Sequence, residues 1–150
     1  TEGEWEYACR AGTATAFWLA EPNYTSGNCA SYIVVPGTWP QLETAAWFCA
    51  NRFDPAGNNT SKPVGMKAPN PWGLYDIHGN VWEWCWDWYG GYPSGSAEDY
   101  RGAASGDYRI FRSGDHSCGA SKYVRSAMRG FRTPDDGYYS GGVRLARTIP

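Results

Sequence analysis

A chain of 150 residues fits one domain able to bury about 70% of the surface that its unfolded form exposes. With a net charge of −2 it lacks the clustered positive charge that nucleic-acid phosphates demand, and no apolar run reaches the length of a membrane span. The 9 Trp, 11 Tyr and 19 Gly put the apolar mass on planar side chains and turn-forming backbone, which points to a loop-rich α+β fold with short strands.

The opening "TEGEWEYACRAG" has a polar start, acidic residues in its first turn and Gly12 where a helix would stop, so a short helix is expected over about residues 2–10. Trp5, Ala8 and Cys9 then share a face. From Thr13 to Gly65 the signals are turns, at "EPNYTSGN", "VVPGTWP" and "DPAGNN", with brief apolar pieces at "SYIVV" and "AAWFCAN". A proline series follows in "KPVGMKAPNPWGLYD" and blocks helix and central strand alike. It feeds a short segment at "LYDIHG". Residues 89–107 read as an exposed loop, "YRIFR" as a strand, "YVRSAM" as a short strand and "GVRLAR" as another. The cysteines, Cys9, Cys29, Cys49, Cys85 and Cys118, form no CxxC pair and are odd in number, so most are expected to be small buried hydrophobes. One or two disulfides, and the redox compartment, stay open.

In "GLYDIHGNVWEWCWDWYGG", residues 73–91, Trp82, Trp84, Trp86 and Trp88 occupy every second position. Strict alternation is strand periodicity, and it sets the four indoles on one face. A domain of this size needs such area for its core, so the indoles are expected to be buried. The other face carries Glu83 and Asp87, preceded by Asp76 and the turn "HGN" at 78–80. Carboxylates, a glycine turn and free carbonyls so close together have the oxygen-rich character of a calcium site. The competing reading is that Asp76 and Glu83 accept backbone N–H bonds or pair with Arg. His78 is read as a turn or core residue.

These residues carry a resemblance. "TEGEWEYACRAG", "PNPWGLYDIHGNVWEWCWDWYG", "YRIFR" and "VRSAMR…GGVRLAR" are similar, in this order, to the motifs of the formylglycine-generating enzyme (sulfatase-modifying factor) family. The resemblance implies a modified C-type lectin fold of the α+β class, a single domain over residues 1–150 that begins where the family's domain is already under way, and a calcium held by the Asp76 and Glu83 side chains with the Gly79 and Val81 carbonyls. It also implies a test of catalysis. Family members that oxidise a sulfatase cysteine bind copper through two cysteines five positions apart; here Cys118 falls on the first and Tyr123 on the second. One thiolate is missing, "SGDH" at 113–116 departs from the family's glycine-glycine-serine-aromatic signature, and both count against copper-dependent oxidation. "DHSC" invites a Ser-His-Asp or Cys-His reading, but neighbours in one segment seldom reach that geometry.

About thirty residues separate the strands at "YRIFR" and "VRLAR", and a loop-dominated stretch this long between framework strands points to function. Its Gly, Ser, Asp, Arg and Tyr content is close to what antibody loops use; a solvated loop of turn-forming residues fits the composition equally well. The chain resembles most closely the variable proteins of diversity-generating retroelements, whose lectin-fold C-terminal segment is rewritten at adenine-rich codons. Residue types reachable from asparagine codons by replacing adenines dominate 113–121 and 130–141, with Lys122, Val124 and "RSAMR" as framework between them. The resemblance implies a binding module displayed outside the cytoplasm for a protein or cell-surface ligand. Its loops at Asp115–Tyr123 and Gly130–Ser140 would form one surface. The candidate contacts are Asp115, His116, Ser117, Cys118, Gly119, Ser121, Tyr123, Gly130, Phe131, Arg132, Asp136, Tyr138, Tyr139 and Ser140. The rival is a formylglycine-generating-type oxidase, for which Cys118 is the catalytic candidate.

Overall fold

The computed structural model describes residues 1–19 and 40–147; "EPNYTSGN", "SYIVV", most of "VVPGTWP" and Cys29 lie outside them. Helix α1 spans Glu2–Arg10. Thr1 caps it, its hydroxyl accepting from the Glu4 amide at 3.3 Å while the Glu4 carboxylate accepts from the Thr1 nitrogen at 2.7 Å. That reciprocal box satisfies two donors which the first turn leaves open. The helix covers the expected residues and stops at Ala11, whose φ of 45° takes the left-handed turn before Gly12. A second short helix, α2, covers Pro40–Ala45, and strand β1, Ala46–Trp47, follows directly.

Strand β2, His78–Gly79, pairs in parallel with β1. Gly79 is required there: at φ 78° a Cβ would stand 1.9 Å from the Trp47 carbonyl oxygen. The larger sheet holds β3 (Trp82–Trp88), β4 (Arg109–Arg112), β5 (Gly130–Arg132) and β6 (Gly141–Gly142) in the order β5-β4-β3-β6. β4 runs antiparallel to both β3 and β5, while β6 runs parallel to β3. Two expected strands are corrected. "YVRSAM" begins as a single 3₁₀ turn, Ser121–Val124, which buries Ser121 and Val124. "GVRLAR" contributes only a glycine to β6, after which Val143 and Leu145 project into solvent, 73% and 92% exposed. Loop 89–107 is mostly exposed, as expected.

α1 lies across β3 and β4 and buries Trp5 and Cys9 against Ile77, Cys85 and Ile110. A second cluster gathers Phe17, Leu42, Ala46, Phe48, Cys49 and Val124. Cys49 is disulfide-bonded, whereas Cys9, Cys85 and Cys118 are free thiols. Burial pushes the Cys9 and Cys85 thiols up to about 12, so neither supplies thiolate near neutral pH.

The indole row is not the buried scaffold that its periodicity suggested. Glu83, Cys85 and Asp87 form the face beneath α1, whereas the indoles run from a buried Trp82 to a Trp86 that is 77% exposed. The helix chemistry explains the inversion. Asp87 accepts from the Glu2 amide at 2.7 Å, at the positive end of α1, and Glu83 accepts from the Trp5 indole N–H at 2.7 Å. Arg112, wholly buried in β4, adds the compensating charge: it bonds Glu6 and the Ser126 carbonyl, and its Nη1 lies 3.8 Å from Glu2. Glu2 is clamped in turn by Arg129 at 2.7 and 2.8 Å. Carboxylates on β3 are therefore tolerated inside because α1 and the arginines satisfy them.

Candidate functional site

After β4 the chain turns sharply at Ser113 and Gly114, with φ values of 82° and 73°. A Cβ on Gly114 would lie 2.3 Å from the Tyr123 carbonyl oxygen, so the loop can close on the 3₁₀ turn only through glycine. The loop is sewn to the "HGN" turn. Ser113 and Gly79 exchange bonds at 2.9 and 3.0 Å, the His116 amide donates to the Asn80 carbonyl at 3.0 Å, and His116 Nδ1 lies 2.8 Å from the same oxygen. The Asn80 side chain then ties Lys62 at 2.8 and 3.0 Å.

Asp115 organises the first loop from the inside. Its Oδ1 accepts from the Ser117 amide and hydroxyl at 2.8 and 2.9 Å, and its Oδ2 accepts from the Tyr138 hydroxyl at 3.4 Å. Burial, and then the Asp115 charge, push the Tyr138 phenol up to about 12, so it remains a donor. Asp115, His116, Ser121 and Ser140 are all buried, Ser117 and Cys118 are half-buried, and Gly119 and Tyr123 are exposed. Four of the expected contact residues are thus internal, and the outward-facing set is smaller than the composition suggested.

The second loop divides between the two sides of the sheet. In β5, Gly130 and Arg132 share one face with their partners Phe111 and Arg109, and Phe131 points the other way with Ile110. Phe131 stacks on Tyr89 and Tyr108, at 4.3 and 5.3 Å between ring centres. Tyr138 instead packs on Phe111 and Tyr139, at 6.2 and 5.0 Å, beneath the Arg132 guanidinium at 4.4 Å, and Asp136 lies 3.4 Å from Arg132. The expected single surface is therefore two patches, and Tyr138 anchors one of them while Tyr139, 79% exposed, is its open tip.

Among the described residues Cys118 has no catalytic partner. Its sulfur accepts from the Asp115 amide at 3.3 Å, the His116 ring turns to Asn80, and burial together with the Asp115 charge pushes the thiol well above its ordinary range. A copper site does not fit, because the position five residues on is Tyr123 and among the described residues no cluster of three His, Cys, Asp or Glu could hold a metal.

The calcium set fails on geometry as well. Arg144 covers both Glu83 oxygens, through Nη2 at 2.6 Å and Nε at 2.9 and 3.1 Å, and reaches the Tyr75 and Asp76 carbonyls at 3.0 and 3.4 Å. Asp76 Oδ2 accepts from the Gly65 amide at 2.6 Å, its buried Oδ1 has no partner, and the Gly79 carbonyl accepts from Ser113. The competing sequence reading describes the contacts made, a backbone amide at Asp76 and an arginine at Glu83. A guanidinium stands where a cation would need Glu83.

Sequence reasoning missed Glu2, Arg112, Arg129 and Arg144. Acidic residues in a first turn suggested only a dipole contribution, and nothing local marks an arginine as the partner of a carboxylate 127 or 61 positions away.

The fold, a loop-rich α+β domain with a small mixed sheet and short helices, is of the modified C-type lectin kind. A family model described as "Sulfatase-modifying factor enzyme 1-like domain" matches residues 1–149, and the chain belongs to that family. The formylglycine-generating enzyme of Streptomyces coelicolor is 33% identical over 97% of this chain and 45% of its own length. Treponema denticola variable protein 1 has a TM-score of 0.71 at 32% identity, covering 95% of this chain and 44% of that one. PvdO from Pseudomonas aeruginosa gives 0.67 at 28% identity, over 95% and 49%. The chain therefore spans less than half the length of each of these relatives. Among the described residues no helix is long and apolar enough to cross a membrane.

Proposed function

We propose that the chain is the ligand-binding module of a variable protein of the retroelement-diversified kind, displayed outside the cytoplasm and presenting part of residues 113–141 to a protein or cell-surface ligand. The observation that carries this reading is the split within that segment. Asp115, His116, Ser121 and Ser140 are buried, whereas Tyr123, Phe131, Arg132 and Tyr139 face solvent on a backbone pinned by Asn80, Asp115 and β6. A binding surface that tolerates change needs such a division: contact residues free to vary, supporting residues held. The likeness to the Treponema protein supports the same reading.

Sequencing the same locus from several isolates tests it. Substitutions should concentrate at Ser117, Gly119, Tyr123, Phe131, Arg132, Asp136 and Tyr139 and spare the buried four. An even spread of changes over α1, β3 and β4 would remove the reading. The second reading, an oxidase, draws on the formylglycine-generating enzymes among the relatives. It requires an aldehyde by mass spectrometry when a sulfatase-derived cysteine peptide is incubated with the protein and copper; the geometry of Cys118 and Tyr123 predicts none.

A further inference from the structure

Two arginines of the sheet, Arg109 in β4 and Arg132 in β5, stand directly opposite each other in cross-strand register. Like charges so placed destabilise a sheet. Each guanidinium is instead held by aromatic rings. The Arg109 guanidinium carbon lies 3.5 Å from the centre of the Trp88 ring and 4.8 Å from that of Trp86, and Arg132 lies 4.4 Å from that of Tyr138. A guanidinium stacked on a ring is pre-organised yet keeps N–H groups at its edge for a planar acceptor. Arg109 gives one N–H to the Trp86 carbonyl. Arg132 reaches the Asp136 carboxylate at 3.4 Å, longer than the about 2.7–2.9 Å of a well-made charge-assisted bond. Asp136 thus shows which chemical group the edge accepts without saturating it.

We infer that Arg109 and Arg132 form a carboxylate clamp for an acidic segment of a protein ligand, flanked by the exposed rings of Trp86 and Tyr139, 77% and 79% exposed. Charge complementarity selects the acidic segment, and Trp, Tyr and Arg are the side chains that dominate protein–protein contact energy. The inference rests on the binding-module reading and names the chemistry of its ligand. It also extends the surface beyond 113–141, since Trp86 and Arg109 lie outside that segment.

The probe is a dodecapeptide of alternating Glu and Gly, titrated at low ionic strength against the whole chain and followed by tryptophan fluorescence, with the Gln-Gly peptide as neutral control. Saturable quenching is expected with the acidic peptide alone. Arg109→Gln and Arg132→Gln should each weaken it by about tenfold, the loss of one charge-assisted pair. Lys122→Gln, on the 3₁₀ turn, should leave it unchanged. Because the opposed charges strain the sheet, Arg132→Gln should melt no lower than the parent, which separates a recognition role from a structural one. An equal response to the neutral peptide, no response to the acidic one, or full affinity in the double variant would overturn the clamp. Such a failure, with natural substitutions still clustered on 113–141, removes the ligand class and leaves the binding module standing. Substitutions scattered through the scaffold do the reverse.

Discussion

On one side of β3, Glu83, Cys85 and Asp87 lie under α1 and none is more than 8% exposed; on the other, exposure climbs from 9% at Trp82 to 77% at Trp86. The side with charge is the dry one, and the side with indoles opens to water. Burial followed the partners available rather than hydropathy. α1 offers a helix N-terminus, an indole N–H and, through Arg112 and Arg129, two guanidinium groups held by Glu2 and Glu6, whereas on the indole side Phe111 packs on Trp82 and Trp84, Gly130 lies against Trp82, and Arg109 lies over Trp88. A polar core of this kind is costly to break at one point and cheap to leave whole.

The largest test of that contrast removes the central charge. Arg112→Leu deletes a fully buried guanidinium and leaves Glu6 without that partner beneath α1, so urea unfolding should show a loss of about 3–5 kcal/mol. A loss below about 1 kcal/mol would mean that Arg10 and Arg129, which also hold Glu6 and Glu2, compensate the carboxylates without Arg112. Next in size is Trp82→Ala, at the covered end of the indole side. Its ring packs against Phe111 and against Gly130, where a Cβ would come within 3.0 Å, so a cavity worth about 3 kcal/mol is expected from the same measurement.

How much of this was readable in the residues depends on the range over which each signal acts. The first-turn acids of α1, the alternation of β3 and the strand at "RIFR" are local, and all three elements stand close to where they were expected. Alternation separates two faces without saying which one another element will cover. That choice was made by Trp5 and the Glu2 amide reaching Glu83 and Asp87, and by Arg144 arriving from the far end of the chain. The candidate site divides in the same way. The irregular, polar character of 113–141 was legible; the burial of Asp115 and His116 was not, because it depends on Asn80, Ser117 and Tyr138 meeting them in space.

The dryness of the α1 side has a pH signature. His78 is fully buried, 3.8 Å from the Cys9 sulfur, and its Nδ1 lies 2.8 Å from the Val124 carbonyl. Burial lowers it from the ordinary 6.5 to about 4. The unfolded chain therefore takes up a proton at a higher pH than the folded one. This contribution is complete above about pH 6.5, erodes as the pH falls towards 4 and levels off below, for a total of about 3 kcal/mol at most. Chemical denaturation at stepped pH measures it, and His78→Gln should flatten the slope between those limits. An unchanged slope in the variant would remove His78 as the source of the acid sensitivity.

The smallest effect is the most discriminating. If the open half of the indole face serves recognition and not folding, Trp86→Ala should change stability by less than about 0.5 kcal/mol, since a side chain 77% in water forfeits little on removal. Its contact with Arg109, 4.8 Å from the ring centre, is lost, while Arg109 stays stacked on the nearer Trp88 at 3.5 Å. The same variant should weaken the response to an acidic peptide, because Trp86 flanks the clamp. A Trp86→Ala protein that melts several degrees lower would return the exposed indoles to the scaffold and erase the difference between the two halves of that face.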